Sequence, residues 1–440
     1  MVLSWGRVHR LEHEELRVRR RSEIQSMLEH SSQDKPLLAH GLGRSYGDVA
    51  LNGGGRLAIT PIMDHIIFAD WDRGLIRASA GLSLEALLTV CVPNGWFLPV
   101  TPGTKFVTLG GAVANDIHGK NHHQAGSFGA HITAFELVRS DMGVIECSPD
   151  SHSELFSSTV GGLGLTGIIT WVELQLKPIS CSDLYVENFR YANLDAFFKL
   201  SEESANWEYT VTWVDCFAPE KSLGRGVFTR GRFAEHGELR PHKKGAVTWP
   251  IATPGFLLNR LSISAFNALY RARPAAAFHG HQHYDPFFYP LDKIHHWNKL
   301  YGARGFFQHQ SLIPLAHGDS GIRELLKKIR SSGQGSFLAV LKVHGAEQSP
   351  GLMSFCREGV SLALDFPNKG TQTRKLLSAL DEITMKYGGR VYPAKDGCMA
   401  PDAFKVFYPH WAELEAHRDP KISSSFWRRV TISKDVEYVA

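Results

Sequence analysis

This chain has no long hydrophobic run. Its most extended apolar stretch, Val160 to Val172, is interrupted by glycines and is too short to cross a bilayer, which takes about 20 residues of helix. It has no Cys-x-x-C pair. The six cysteines (Cys91, Cys147, Cys181, Cys216, Cys356 and Cys398) are scattered, which argues against a zinc ribbon or disulfide framework and for buried free thiols. An excess of one charge is also missing: 48 basic and 44 acidic residues leave a net charge of +4 over 440 residues. Nucleic acid is therefore not an expected partner, since it needs basic residues gathered on one face. Internal repeats and low-complexity tracts are absent. Met1 to Arg21 carries Arg19-Arg20-Arg21 but no apolar segment, so neither an ordinary nor a twin-arginine leader is expected. Leu11 to Leu28 reads instead as a charged amphipathic helix. These absences predict a cytoplasmic protein, either free or peripheral at the inner face of the cell membrane.

The composition, 43% hydrophobic and 21% charged, is that of a globular protein, and the length predicts two domains. Residues 1–180 alternate short β-rich runs (Leu57–Ile59, Leu75–Ala78, Ile132–Arg139, Val144–Cys147, Gly167–Leu176) with helical patterns at Leu82–Val90 and Ser153–Val160. Aromatic-rich strands follow at Trp207–Phe217 and Gly226–Phe233, then a polar loop at Ala234–Gly255 and a helix at Leu257–Arg273. Strands at Gly305–Pro314, Ser336–Val343 and Val360–Phe366 and helices at Ser320–Ser331 and Lys375–Tyr387 come next. Asp402 to Val430 reads as helical and aromatic. The pattern is α+β rather than a βαβ series.

Glycine is clustered. His40-Gly-Leu-Gly-Arg-Ser-Tyr-Gly-Asp48 precedes Asn52-Gly-Gly-Gly55, Thr101 to Gly129 is denser still, and Val160-Gly-Gly-Leu-Gly-Leu-Thr-Gly167 comes third. Loops of this kind bring backbone close to a ligand and point N–H groups at it, as a pyrophosphate requires. The spacing does not match a nicotinamide fingerprint.

The blocks Trp5-Gly-Arg7, Arg44-Ser-Tyr-Gly-Asp48, Asp116-Ile-His-Gly-Lys-Asn-His-His123, Ala125-Gly-Ser-Phe-Gly129, Gly164-Leu-Thr-Gly-Ile-Ile169, Leu223-Gly-Arg225 and Tyr392-Pro-Ala-Lys-Asp396 resemble the vanillyl-alcohol-oxidase type of FAD-binding flavoprotein. Within that type they resemble the oxidase components of decaprenylphosphoryl-β-D-ribose 2′-epimerases. The similarity runs over nearly the whole chain and is poor at 234–285. It implies a two-lobed FAD-binding domain over 1–177, completed by 390–440. A cap domain over 178–389 would be α+β, built on an antiparallel sheet. The family oxidises the ribose C2′ hydroxyl of a polyprenyl-phosphoryl ribose to a ketone, and a short-chain dehydrogenase/reductase partner completes the inversion to arabinose. A free sugar or polyol is the alternative substrate.

The resemblance assigns FAD to Gly41, Gly43, Arg44, Ser45, Tyr46 and Gly47 in the first turn. In the second block it assigns Pro102, Gly103, Thr104, Gly110, Gly111, Ala114, Asn115, His118, Gly119, Asn121, Gly126 and Ser127, and beyond it Gly167, Ile168 and Lys395. Arg44 stands where other relatives tether flavin through His, and Thr104 where some use Cys. Neither side chain is a flavin tether, so non-covalent FAD is expected. Lys395 suits the negative charge that develops on reduced flavin. His118, Tyr46, Tyr392 and Lys395 compete as the proton acceptor.

Substrate contacts are expected from Lys120 and Lys342 with phosphate, from Gln308 and Gln310 (on one side of a strand) with hydroxyls, and from Trp213 and Phe288. Ala363 stands where mycobacterial members carry a pocket cysteine, so a thiol there is not needed for the chemistry. The runs His118/His122/His123 and His279/His281/His283 lack a matching carboxylate or cysteine set, and no metal site is expected. Arg240-Pro-His-Lys-Lys244, Trp249 and the apolar side of Leu257–Tyr270 fit either a peripheral contact with anionic lipid or a plain loop followed by a core helix.

Overall fold

The computed structural model describes residues 2–243, 245, 247–254 and 258–432; Lys244 and Leu257 of the expected lipid-facing segment lie outside them. Three sheets carry most of the architecture. The first is parallel and three-stranded, with Arg56–Ile59 between Glu14–Arg17 and Leu37–His40. The helix expected over Leu11–Leu28 is therefore confined to its second half, Ser22–Glu29. The charges that resembled a helix's polar face are used across the sheet instead, Glu14 pairing with Lys35 at 2.7 Å and with Arg56 at 3.1 Å.

The second sheet is antiparallel, in the order Ile66–Asp70, Leu75–Ser79, Ile168–Gln175, Ile132–Arg139, Gly143–Cys147. Its β-branched interior packs on the helix Leu84–Cys91, whose first turn is capped by the Ser83 side chain accepting from Ala86 N–H.

The third sheet is antiparallel and eight-stranded. Its order is His279–His283, Asp183–Tyr191, Gly226–Phe233, Tyr209–Val214, Ala339–His344, Gly359–Pro367, Phe306–Ile313, Arg390–Val391. Strand periodicity gives it two different faces. Leu362, Leu364, Phe366 and Phe307 point to one side, where they share a core with Ile322, Leu325 and Leu326 of the helix Gly318–Ser332 and Leu376, Leu377 and Leu380 of the helix Thr371–Lys386. The opposite face is polar at its centre. Register places Gln310 across from Ala363 and Gln308 across from Asp365. It also sets Lys342 beside Ser361 and Val340 beside Ala363. These residues line one wall of a cavity.

The C-terminal aromatic segment forms three short helices, Pro401–Phe407, Trp411–His417 and Ser425–Thr431. Phe404, Phe407, Phe426 and Trp427 are buried in one cluster with Leu37, Leu38 and Leu57 of the parallel sheet. Burying each such side chain contributes about 2 kcal/mol. Arg429 then ties two loops together, bonding Asp48 at 2.7 Å and Asp396 at 2.8 Å. The same loops meet where Tyr46 N–H donates to the Ala394 carbonyl at 2.9 Å. Gly47 has to be glycine here, because a Cβ would run into the Asp396 carbonyl oxygen. The Arg-Ser-Tyr-Gly-Asp and Tyr-Pro-Ala-Lys-Asp blocks are thus one structural unit. No helix among the described residues is long and apolar enough to cross a membrane.

Candidate active site

The polar face of the eight-stranded sheet looks across a cavity of about 1010 Å³ onto the glycine-rich loops. That volume is at the top of the range for small-molecule sites, about 300–1,000 Å³. The opposite wall is backbone-rich. It contains Gly41, Gly43, Arg44, Ser45 and Tyr46 from the first loop, and Pro102, Gly103, Thr104, Gly110, Gly111, Ala114, Asn115, His118 and Gly119 from the second. Gly167 closes it. Among the described residues, the amides of residues 41–45 have no hydrogen-bond acceptor. A Cβ on Gly103 would meet nothing within 4 Å, so that backbone is open to the cavity. Asn115 has a buried Oδ1 without a partner. Free amides around an open groove suit a group rich in anionic oxygens.

Arg44 is fixed within this wall. Its Nε donates to the Phe106 carbonyl at 3.1 Å, and its guanidinium lies 4.1 Å from the Trp5 ring centroid.

On the sheet side the polar groups form a connected set. Lys342 Nζ donates to the Gly119 carbonyl at 2.5 Å and lies 2.8 Å from His118 Nδ1. Gln310 Nε2 lies 2.8 Å from His118 Nε2. With the Lys342 ammonium donating to Nδ1, the imidazole carries its proton on Nε2. The Gln310 amide then turns its oxygen toward it, an orientation that the network decides. Burial, reinforced by Lys342, holds His118 well below the usual imidazole range. His118 is therefore a neutral ring with both nitrogens engaged.

Lys120 donates to the Phe287 carbonyl and sits 4.6 Å from the Phe287 ring centroid. Burial, with Lys342 nearby, lowers its ammonium to about 7, and burial lowers Lys342 to about 8. Lys395 lies 4.0 Å over the Tyr46 ring and makes no ion pair among the described residues. Burial lowers its ammonium as well. Burial raises the Tyr46 and Tyr392 phenols far above their ordinary value. Both phenols are therefore neutral, and Tyr392 Oη donates to the Asn115 carbonyl at 2.7 Å.

Trp213, Phe288 and Ala363 also line the cavity. Trp213 packs at a tilt against Tyr270 with ring centroids 4.6 Å apart, and Phe288 sits largely in an aromatic core with Tyr209. Five residues expected at the cofactor lie off the cavity wall. Gly47 packs on the Asp396 backbone, and Asn121 donates to the Pro99 carbonyl at 2.8 Å. Gly126 takes φ +66° at a turn facing Glu347. Ser127 is buried beside a backbone bridge to His118. Ile168 points into the hydrophobic core while its strand neighbour Ile169 reaches the cavity. The last follows from strand alternation.

The unanticipated cavity residues include one beside the glutamines. Asp365 is fully buried, accepts from Gln308 Nε2 at 2.5 Å, and has an Oδ2 with no partner. Burial raises its carboxyl, against the opposing pull of Gln308 and Lys395. The signal for it was in the sequence: Ala363 and Asp365 are two residues apart on a strand, hence on one face.

Comparison with known proteins agrees with this geometry. The FAD binding domain family matches residues 16–148. Decaprenylphosphoryl-β-D-ribose oxidase of Mycolicibacterium smegmatis is 34% identical over 400 residues, covering 87% of this chain and 86% of that one. The chain belongs to the decaprenylphosphoryl-β-D-ribose oxidase family. It is an FAD-dependent oxidoreductase with the α+β fold of the vanillyl-alcohol-oxidase type. An uncharacterized protein of Streptomyces coelicolor is 32% identical over 364 residues, covering 77% of this chain and 96% of its own length. L-gulonolactone oxidase of mouse is 28% identical over 148 residues, 33% of each chain. That match covers a minor part of either protein, whereas the oxidase match covers most of both.

Proposed function

We propose that this protein oxidises the C2′ hydroxyl of a polyprenyl-phosphoryl-β-D-ribose to the 2′-ketone, the first half of an epimerisation to the arabinose form. The observation that carries this reading is the common cavity of Lys120 and Lys342, Gln308 and Gln310, and Lys395. Cations for a phosphate, amides for sugar hydroxyls and a cation for a reduced ring are arranged on two facing walls. A short-chain dehydrogenase/reductase would consume the ketone. The cofactor unit is taken as 1–177 with 390–440, and the cap as 178–389.

The free amides of 41–45 and the open backbone at Gly103 fit the pyrophosphate of FAD, with Gly110, Gly111 and Asn115 along the rest of the groove. FAD, when bound, supplies the hydride acceptor. Lys395 places positive charge on that side of the cavity. His118 fixes Lys342 and Gln310 through its two nitrogens, so that their remaining donors orient the sugar and its phosphate. Asp365, with its free oxygen, takes the hydroxyl proton as the C–H bond is broken. Borodeuteride quenching of product from prenyl-phosphoryl ribose is expected to place one deuterium at C2′; label at another carbon or none would contradict the reading.

FAD is held without a covalent bond in this reading, because the Arg44 guanidinium is already committed to Phe106 and Trp5. Acid precipitation is expected to release intact FAD into the supernatant. Flavin remaining on the denatured protein would overturn this.

The helix Arg260–Ala272 supports a peripheral lipid contact: Leu261 and Leu269 are 82% and 73% exposed, and Arg271 and Arg273 are close by. Such a face lies flat on an anionic surface. Leu261→Glu/Leu269→Glu is expected to abolish co-sedimentation with phosphatidylglycerol vesicles and leave FAD content unchanged. A wild-type protein that never pellets would rule the contact out.

A further inference from the structure

Behind the ring of His118, on the side away from the cavity, three more donor side chains converge. His122 and His344 are fully buried and Cys356 is 5% exposed. One ligand atom from each lies within 4.8 Å of the other two. The imidazoles of His122 and His344 have centroids 4.5 Å apart, and His344 is 5.1 Å from His118. Both ring nitrogens of His122 are buried without a partner. A fully buried imidazole with neither nitrogen bonded is costly, because each polar atom has given up water for nothing. His344 is different. Its Nε2 lies 2.9 Å from Ser361 Oγ, while its Nδ1 is buried and unpartnered. With Nε2–H donating to the serine, the lone pair is fixed on Nδ1, which is how an outer hydrogen bond prepares a metal-binding histidine.

We propose that His122, His344 and Cys356 form a buried three-ligand site for a soft monovalent metal ion, copper(I). Two neutral imidazoles and a thiolate are the ligand types that soft first-row ions select. The charge also argues for a monovalent ion. The Lys342 ammonium lies 2.8 Å from His118 Nδ1, and the His118 ring is 5.1 Å from that of His344, so a divalent ion would meet a cation close by. Copper(I) with one thiolate is neutral. On binding, the Cys356 thiol gives its proton to solvent and the sulfur bonds the metal, releasing one proton per ion with no change of oxidation state. Donor atoms in a three-coordinate site of this kind are about 3.5–3.8 Å apart. The cluster therefore closes by about 1 Å as it loads, a side-chain movement rather than a backbone one. His122 is more than 200 residues from His344 and Cys356, which is why the histidine runs alone did not disclose the set.

The test uses the FAD-loaded protein under anaerobic conditions, titrated with copper(I) against a chromophoric copper(I) chelator. One equivalent is expected to transfer to the protein. Cys356→Ser, His344→Phe and His122→Asn are each expected to lose that equivalent while FAD content and Tm stay within those of the folded protein. Cys398→Ser, which alters the one cysteine that is not buried, is expected to retain it. X-ray absorption at the copper edge is expected to show one sulfur and two imidazole nitrogens. No uptake, uptake that survives in all three variants, or one equivalent of zinc(II) taken in preference to copper(I) would each overturn the proposal.

Discussion

Lys395→Ala is expected to lower the rate of flavin reduction at saturating substrate by about 10²- to 10³-fold, the loss found when a preorganised charge stabiliser is removed. Two unit charges about 4 Å apart at an effective dielectric of ~20 interact by roughly 4 kcal/mol before desolvation is subtracted. About 3–4 kcal/mol of the barrier corresponds to the stated loss. The side chain stands on a well-fixed loop. Its amide donates to the Tyr392 carbonyl at 3.0 Å, and the next residue, Asp396, is held by Arg429. Its ammonium lies on the Tyr46 ring, with no ion pair among the described residues. Truncation removes the cation that opposes the effect of burial on Asp365, so the Asp365 carboxyl rises further and stays neutral rather than becoming an unpaired buried charge, and the fold is expected to persist with normal FAD content. Stopped-flow reduction under anaerobic conditions reads the effect. An unchanged rate constant would remove Lys395 from the chemistry.

Asp365→Asn is expected to cost about 10²- to 10⁴-fold, the range of a positioned general base. The amide oxygen can still accept from Gln308, so the local hydrogen bond is kept while the basic group is lost. The pH dependence distinguishes this from simple disruption. Burial raises the Asp365 carboxyl, so kcat/KM falls as pH drops, with the acid limb displaced above the ordinary carboxylate range of about 4. The cations set the other limb. Lys120 and Lys342, lowered to about 7 and about 8, lose their charge as pH rises, and phosphate binding weakens with it. The wild type is expected to give a bell, and Asp365→Asn to lose only the acid side. An acid limb that persists in the variant would assign the proton to another group.

The sequence disclosed the glycine loops because their function depends on backbone, and backbone requirements are written as glycine at fixed positions. It disclosed Gln308 and Gln310 because strand alternation is a local rule. Asp365 obeys the same rule, but its role depends on Gln308 standing opposite it on another strand, a long-range pairing. The failures come from long-range pairing. Glu14–Arg17 has the charges of a helix, and only its partner Arg56–Ile59 makes it a strand. Ile168 and Ile169 are chemically alike, and the placement of the sheet alone decides which reaches the cavity. His118 reads as a free base in one dimension. The hydrogen bonds that occupy both its nitrogens come from residues about 190 and 220 positions away.

The most direct measurement is the anaerobic visible spectrum of the purified protein before and after addition of a short-chain prenyl-phosphoryl ribose. A flavin band that bleaches with this substrate, and does not with free ribose or a polyol, is the result predicted. A band that bleaches only with free sugars or polyols, or that stays unbleached with every one of them, would contradict the proposed function and leave the FAD-binding fold standing.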